Sequence, residues 1–71
     1  MILRLGQQVE YYHGLGGRIL KEGTIQRLET PEPCCCQVDE LDTELCDGGF
    51  VTLQNGRWTY AGRVARILAG E

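Results

Sequence analysis

Four cysteines and one histidine are the side chains with the widest chemical range in this 71-residue chain. Cys34, Cys35 and Cys36 are consecutive, and Cys46 follows in the same acidic third. On an extended segment Cys34 and Cys36 project from one face and Cys35 from the other. Together with Cys46 and His13 they would make up the thiolate and imidazole set that tetrahedral zinc takes. The spacing is against it, because structural zinc sites carry Cys-x₂₋₄-Cys pairs and none is present. Free cysteine also serves as a small core hydrophobe, and that reading is favoured for Cys34 and Cys36. No metal or other cofactor is expected, with Cys34, Cys36 and Cys46 as the candidates should one bind.

Nucleophilic catalysis has less to stand on. The chain contains no serine, so the only pair would be a cysteine with His13. A reactive thiolate needs positive surroundings, and these cysteines lie among carboxylates. Gly14-Leu15-Gly16-Gly17 lacks the spacing of a phosphate loop, and no Gly-Lys-Thr follows it. A hairpin loop is the simpler reading. No catalytic constellation nominates itself, and a non-enzymatic role is expected.

The elements that would position these groups are short. A chain of this length buries only about 60% of the surface it exposes when unfolded, which leaves room for one domain, residues 1–71. Hydrophobic residues are 42% and charged residues 24%, the usage of ordinary globular domains. Ten glycines point to tight turns between short strands. The longest apolar run near the start, Met1-Ile2-Leu3, is broken by Arg4. A signal peptide needs an apolar stretch of about 7–15 residues and a membrane helix about 20. Cytoplasmic residence with reduced thiols is expected, and no membrane partner.

Val9 and Tyr11 alternate with Gln8, Glu10 and Tyr12, the pattern of a half-buried strand that turns Tyr12 to solvent. Gly23 to Glu29 reads as a strand. Ile25 and Leu28 are three apart, so period 2 holds only with a bulge between them. Pro31 and Pro33 end it. Cys34 to Asp39 is read as the next strand, with Cys36 and Val38 on one face. Asp39 to Gly49 is read as an exposed acidic loop or hairpin arm, with room for a helical turn around Leu41 to Leu45.

Asn55-Gly56 between alternating segments favours a two-residue type I′ hairpin. That register sets Leu53 opposite Trp58 and Val51 opposite Tyr60, which gives an apolar face of Val51, Leu53, Trp58 and Tyr60. Ala61 to Leu68 suits a helical or 3₁₀ turn that leads into a closing strand.

About five short strands with one helical turn near the C-terminus make an all-β fold, and a small curled barrel would remove exposed strand edges. Gly6-Gln7-Gln8-Val9-Glu10-Tyr11, Gly23-Thr24-Ile25, Val38-Asp39 and Ala61-Gly62-Arg63-Val64-Ala65-Arg66-Ile67 together resemble the SH3-like barrel group that includes Tudor and KOW modules. The resemblance covers most of the chain. The triple cysteine and the acidic segment depart from it. In Tudor-like members, aromatic side chains at the barrel mouth can cage a cation. Tyr11, Trp58 and Tyr60 would be the candidates, but the hairpin register assigns Trp58 and Tyr60 to the core. Tyr12, beside His13 and the glycine loop, is the aromatic expected at a contact surface.

The net charge of −3 is unevenly spread. Residues 1–27 carry Arg4, Arg18, Lys21 and Arg27 against Glu10 and Glu22. Residues 28–56 carry seven carboxylates (Glu29, Glu32, Asp39, Glu40, Asp42, Glu44 and Asp47) and no Lys or Arg. Residues 57–71 carry Arg57, Arg63 and Arg66 against Glu71. Non-specific phosphate binding draws on clustered cations, and a weakly acidic chain is not built for it. The acidic third would serve as a solubilising loop, or as a dock for a basic partner or a second copy's Arg63 and Arg66. The expected function is therefore a small binding module, with a protein partner or a second copy ahead of nucleic acid. Tyr12, His13, Arg18, Arg57, Arg63 and Arg66 are the candidate binding residues. A nucleic-acid-binding module, with the arginines and Lys21 on one face and Tyr12 stacking on a base, is the first alternative. A cysteine-ligated metal-binding domain is the second.

Overall fold

The computed structural model describes residues 1–13, 19–31 and 36–70. Arg18, Cys34, Cys35 and the Gly14–Gly17 loop lie outside the described residues. Among the described residues eight strands run in chain order: β1 (Ile2–Arg4), β2 (Gln8–His13), β3 (Ile19–Glu29), β4 (Gln37–Val38), β5 (Glu40–Asp42), β6 (Phe50–Leu53), β7 (Trp58–Tyr60) and β8 (Val64–Ala69). A 3₁₀ turn, Ala61–Arg63, joins β7 to β8, as the sequence predicts. The fold is all-β. Among the described residues no helix is long and apolar enough to cross a membrane.

One sheet runs β7-β6-β3-β2-β8, with β4 also on β3, and β1 pairs β5 in a second sheet. All of these pairings are antiparallel. The main path ends at β7 and β8, so strand pairing among the described residues leaves the sheet open where a closed barrel is expected. Strand β3 is the spine. Its first half pairs β2 through Gln8↔Thr24 to His13↔Ile19, and its second half pairs β6 from Ile25↔Leu53 to Glu29↔Phe50.

The spacing of the apolar residues accounts for the bends. The β3–β6 register shifts between Ile25 and Arg27, and this bulge at Gln26 lets Ile25 and Leu28 both face inward. The same device operates on β8, where the β2–β8 register shifts twice and Val64 and Ile67 both reach the core. Val9, Tyr11, Ile25, Leu28, Val51 and Leu53 form the centre of that core, each at most 1% exposed.

Three expectations are corrected. The first concerns residues 39–49, which are not simply an exposed loop. β5 pairs the N-terminal strand with Leu3 opposite Leu41, and both leucines are buried. This small sheet covers one side of the core, and Arg4 Nε donates to Glu40 Oε1 at 3.1 Å along its outer side. Around the expected helical turn the chain makes a turn closed by Cys46 N–H donating to the Asp42 carbonyl, 2.8 Å. The second concerns the segment from Cys34. Among its described residues only Gln37–Val38 is strand. Cys36 is exposed, while Val38 packs against the core.

The third is the β6–β7 register. The loop has three residues, Gln54 to Gly56. Leu53 N–H donates to the Arg57 carbonyl (2.8 Å) and Gly56 N–H to the Leu53 carbonyl (3.0 Å). Gly56 takes φ +85°, the left-handed residue that closes a type I turn with a bulge. Asn55 Oδ1 accepts from Arg57 N–H, 2.9 Å, which holds the tip of the loop. A one-residue slip turns a whole strand over. Val51 therefore faces Thr59 and Thr52 faces Trp58. Thr59 is buried at 6% exposure, whereas Trp58 and Tyr60 stand at 56% and 44%.

Candidate binding surface

The slip that buries Thr59 creates the most distinctive surface of the molecule. Phe50 on β6 pairs Tyr60 on β7, and Thr52 pairs Trp58. All four side chains point away from the core because their neighbours Val51, Leu53 and Thr59 point into it. The three rings touch each other. Centroids are 5.6 Å apart for Phe50–Trp58, 5.5 Å for Phe50–Tyr60 and 5.2 Å for Trp58–Tyr60. The two contacts that Trp58 makes are edge-on, the arrangement that ring quadrupoles favour.

Two cross-strand rows make up this face. One runs Glu29, Phe50, Tyr60 and the other Arg27, Thr52, Trp58. Arg27 and Glu29 lie 3.9 Å apart as an ion pair. The rows end at β7, which among the described residues pairs β6 alone, so the aromatic cluster adjoins a sheet edge that no described strand covers. The rings are in contact with one another, so no gap between them is wide enough to enclose a cation. Tyr11 is in the core at 1% exposure, so the caged trio of Tyr11, Trp58 and Tyr60 does not form.

The residues nominated from the sequence are dispersed. Tyr12 is exposed as expected, paired with Leu20 on the outer side of β2–β3. His13 is half-buried, and its Nε2 lies 3.0 Å from Arg57 Nη1. Arginine can only donate, so Nε2 is the acceptor in this contact. This contact joins the end of β2 to the β6–β7 loop, and it is the one place among the described residues where two nominated residues meet. Arg66 Nε donates to Glu10 Oε1 at 3.1 Å, which commits it within the chain. Arg63 is exposed just before β8 and has no ion pair among the described residues.

Among the described residues no cluster of His, Cys, Asp and Glu is arranged to hold a metal, and no concave pocket opens. Cys46 is half-buried and packs against the core, the place of a small hydrophobe.

Sequence reasoning missed the aromatic face because it assigned a two-residue turn to Asn55-Gly56. The missed signal is on β7 itself, where Thr59 alternates with two aromatics and fits the tight space opposite Val51. No protein-family model, curated protein or solved structure matches the chain.

Proposed function

We propose that this chain is a small non-enzymatic binding module of the SH3-like kind. Its contact surface is the Phe50–Trp58–Tyr60 face with the adjoining edge of β7, and its partner is a protein. The observation that carries the reading is the contact of three aromatic rings on a solvent-facing strand pair beside an open edge. Large exposed aromatics are over-represented among the residues that dominate protein interfaces, and clustered exposed apolar side chains mark interaction sites. The SH3-like part draws support from the order of elements, in which the 3₁₀ turn precedes a last strand that returns to β2. Cytoplasmic residence belongs to the same reading.

Protein is favoured over nucleic acid by the state of the cations. Arg27 is held by Glu29 and Arg66 by Glu10. Glu29 also borders the aromatic row. A strand-tracking groove needs uncommitted positive charge.

Trp58 is the only tryptophan, so its emission reports on this face directly. Peptides selected from a random display library against the folded chain are expected to shift that emission. They should lose at least roughly tenfold in affinity on Trp58→Ala, as truncating an interface anchor does. Peptides that bind without moving Trp58 emission would place the contact surface elsewhere. Binding of single-stranded oligonucleotides with a steep salt dependence, and of no peptide, would replace protein with nucleic acid as the partner.

A further inference from the structure

The open edge of β7 has a register that suits its own sequence. Leu53 N–H donates to the Arg57 carbonyl, and Ala61 N–H donates to the Gly49 carbonyl, both at 2.8 Å. Hydrogen-bonded pairs alternate along an antiparallel ladder. Residues 57, 59 and 61 therefore turn their backbone groups toward β6, and Trp58 and Tyr60 turn theirs to the open side. An incoming strand would bond to Trp58 and Tyr60.

We infer that a second copy of this chain occupies that edge, β7 against β7, antiparallel about a two-fold axis at Thr59. The inference rests on the binding-module reading and names its partner. In this register Trp58 lies opposite Tyr60 of the second copy and exchanges both backbone hydrogen bonds with it, and symmetry repeats the pair. The outer faces of the two copies lie on the same side. The row Glu29, Phe50, Tyr60 then continues into Trp58 of the second copy, a directly opposed aromatic pair of the kind that stabilises sheets.

The charges agree with this register. Arg57 comes opposite Ala61 of the second copy, so no like charges face each other. Gly62 N–H donates to the Asp47 carbonyl at 2.9 Å, which fixes Asp47 beside the end of β7. Asp47 is exposed and has no ion pair among the described residues. In this register the end of β7 that lies beside Asp47 in each copy meets the end that carries Arg57 in the other, which brings opposite charges to a self-complementary contact of the kind a two-fold interface requires. Nothing on Trp58–Tyr60 protects the edge, because it carries no proline, no charge and no bulge.

Analytical ultracentrifugation of the full chain over a wide concentration range, with Trp58 emission followed in parallel, tests the inference. The expected result is a monomer–dimer equilibrium in which the emission shift follows the dimer fraction. Two substitutions at one position separate edge pairing from ring contact. Tyr60 has φ −77°, already within proline's range, and its N–H faces the open side. Tyr60→Pro and Tyr60→Ala both remove the ring, but only proline removes the edge donor. Tyr60→Ala is expected to weaken the dimer and Tyr60→Pro to abolish it. Asp47→Arg is expected to weaken it at least tenfold, and Asp47→Arg with Arg57→Asp to restore it. The charge swap decides the question even if the proline variant does not fold.

A chain that stays monomeric at every concentration overturns the inference. So does a dimer that Tyr60→Pro weakens no more than Tyr60→Ala, or one indifferent to the charge swap. A monomer whose Trp58 still responds to selected peptides loses only the second copy as partner. A monomer that binds no peptide loses the module reading as well.

Discussion

Tyr11→Phe should stabilise this protein, although it deletes a polar group from a buried tyrosine. Tyr11 is 1% exposed at the centre of the core. Its hydroxyl is buried and makes no hydrogen bond among the described residues. A buried hydroxyl without a partner costs about 1–3 kcal/mol in desolvation. Replacing tyrosine by phenylalanine removes that cost and breaks no hydrogen bond among the described residues. The oxygen's packing contacts are lost, which offsets part of the gain, and a net increase of about 1 kcal/mol remains. In a chain of this size a change of about 1 kcal/mol moves the midpoint of thermal unfolding by roughly 4–8 °C. The assay is calorimetry on the wild type and Tyr11→Phe under reducing conditions, with urea unfolding to confirm that the slope is unchanged. A fall of several degrees would refute the reasoning, because it would mean that the hydroxyl has a partner.

Glycine at 49 is set by packing. A Cβ there would come 2.7 Å from Leu41 Cδ1 and 2.9 Å from the Glu29 carbonyl oxygen. Gly49→Ala is therefore expected to cost about 1–3 kcal/mol, the usual penalty for overpacking, as read by urea unfolding. Gly56→Ala meets no atom within 4 Å but must hold φ +85°, so its cost is expected near about 1 kcal/mol from backbone strain alone. The same positions distinguish the two causes, because Gly56→Asn should recover part of the loss and Gly49→Asn none. The Arg4–Glu40 pair is 48% and 60% exposed, so Glu40→Gln should change stability by less than about 1 kcal/mol and lose even that in high salt.

Much of the scaffold is legible from residue spacing. Val9, Tyr11 and Tyr12 sort themselves by alternation, and the three-residue gap between Ile25 and Leu28 announces the bulge at Gln26. The helical turn before the last strand is also where the sequence places it. Short elements are harder to see. In β1 and β5 a single inward leucine, Leu3 or Leu41, decides the pairing, and neither strand alone has enough alternation to stand out. Asp42, Glu40 and their neighbours make the second segment look like a solvated loop, whereas two of those carboxylates flank a leucine that seals the core.

The binding surface depends on one turn. Asn-Gly is compatible with a two-residue loop, and also with a three-residue loop in which glycine supplies the left-handed residue. The first buries Trp58 and Tyr60, and the second buries Thr59. Local turn chemistry permits both, and packing opposite Val51 decides. Of the residues nominated for binding, His13 and Arg57 meet because the end of β2 reaches the β6–β7 loop, a tertiary contact that spacing does not encode. Arg66 looks available in the sequence only because its partner, Glu10, lies on a strand distant along the chain.

The most direct test of the central claim is collisional quenching of Trp58 in dilute, reduced protein, where any self-association is minimal. Acrylamide should quench this sole tryptophan nearly as efficiently as it does an unfolded control, because the three-residue loop turns the indole to solvent. An indole shielded in the folded monomer and released on unfolding would contradict the account. It would place Trp58 in the core and return β7 to the register that hides its aromatic side chains.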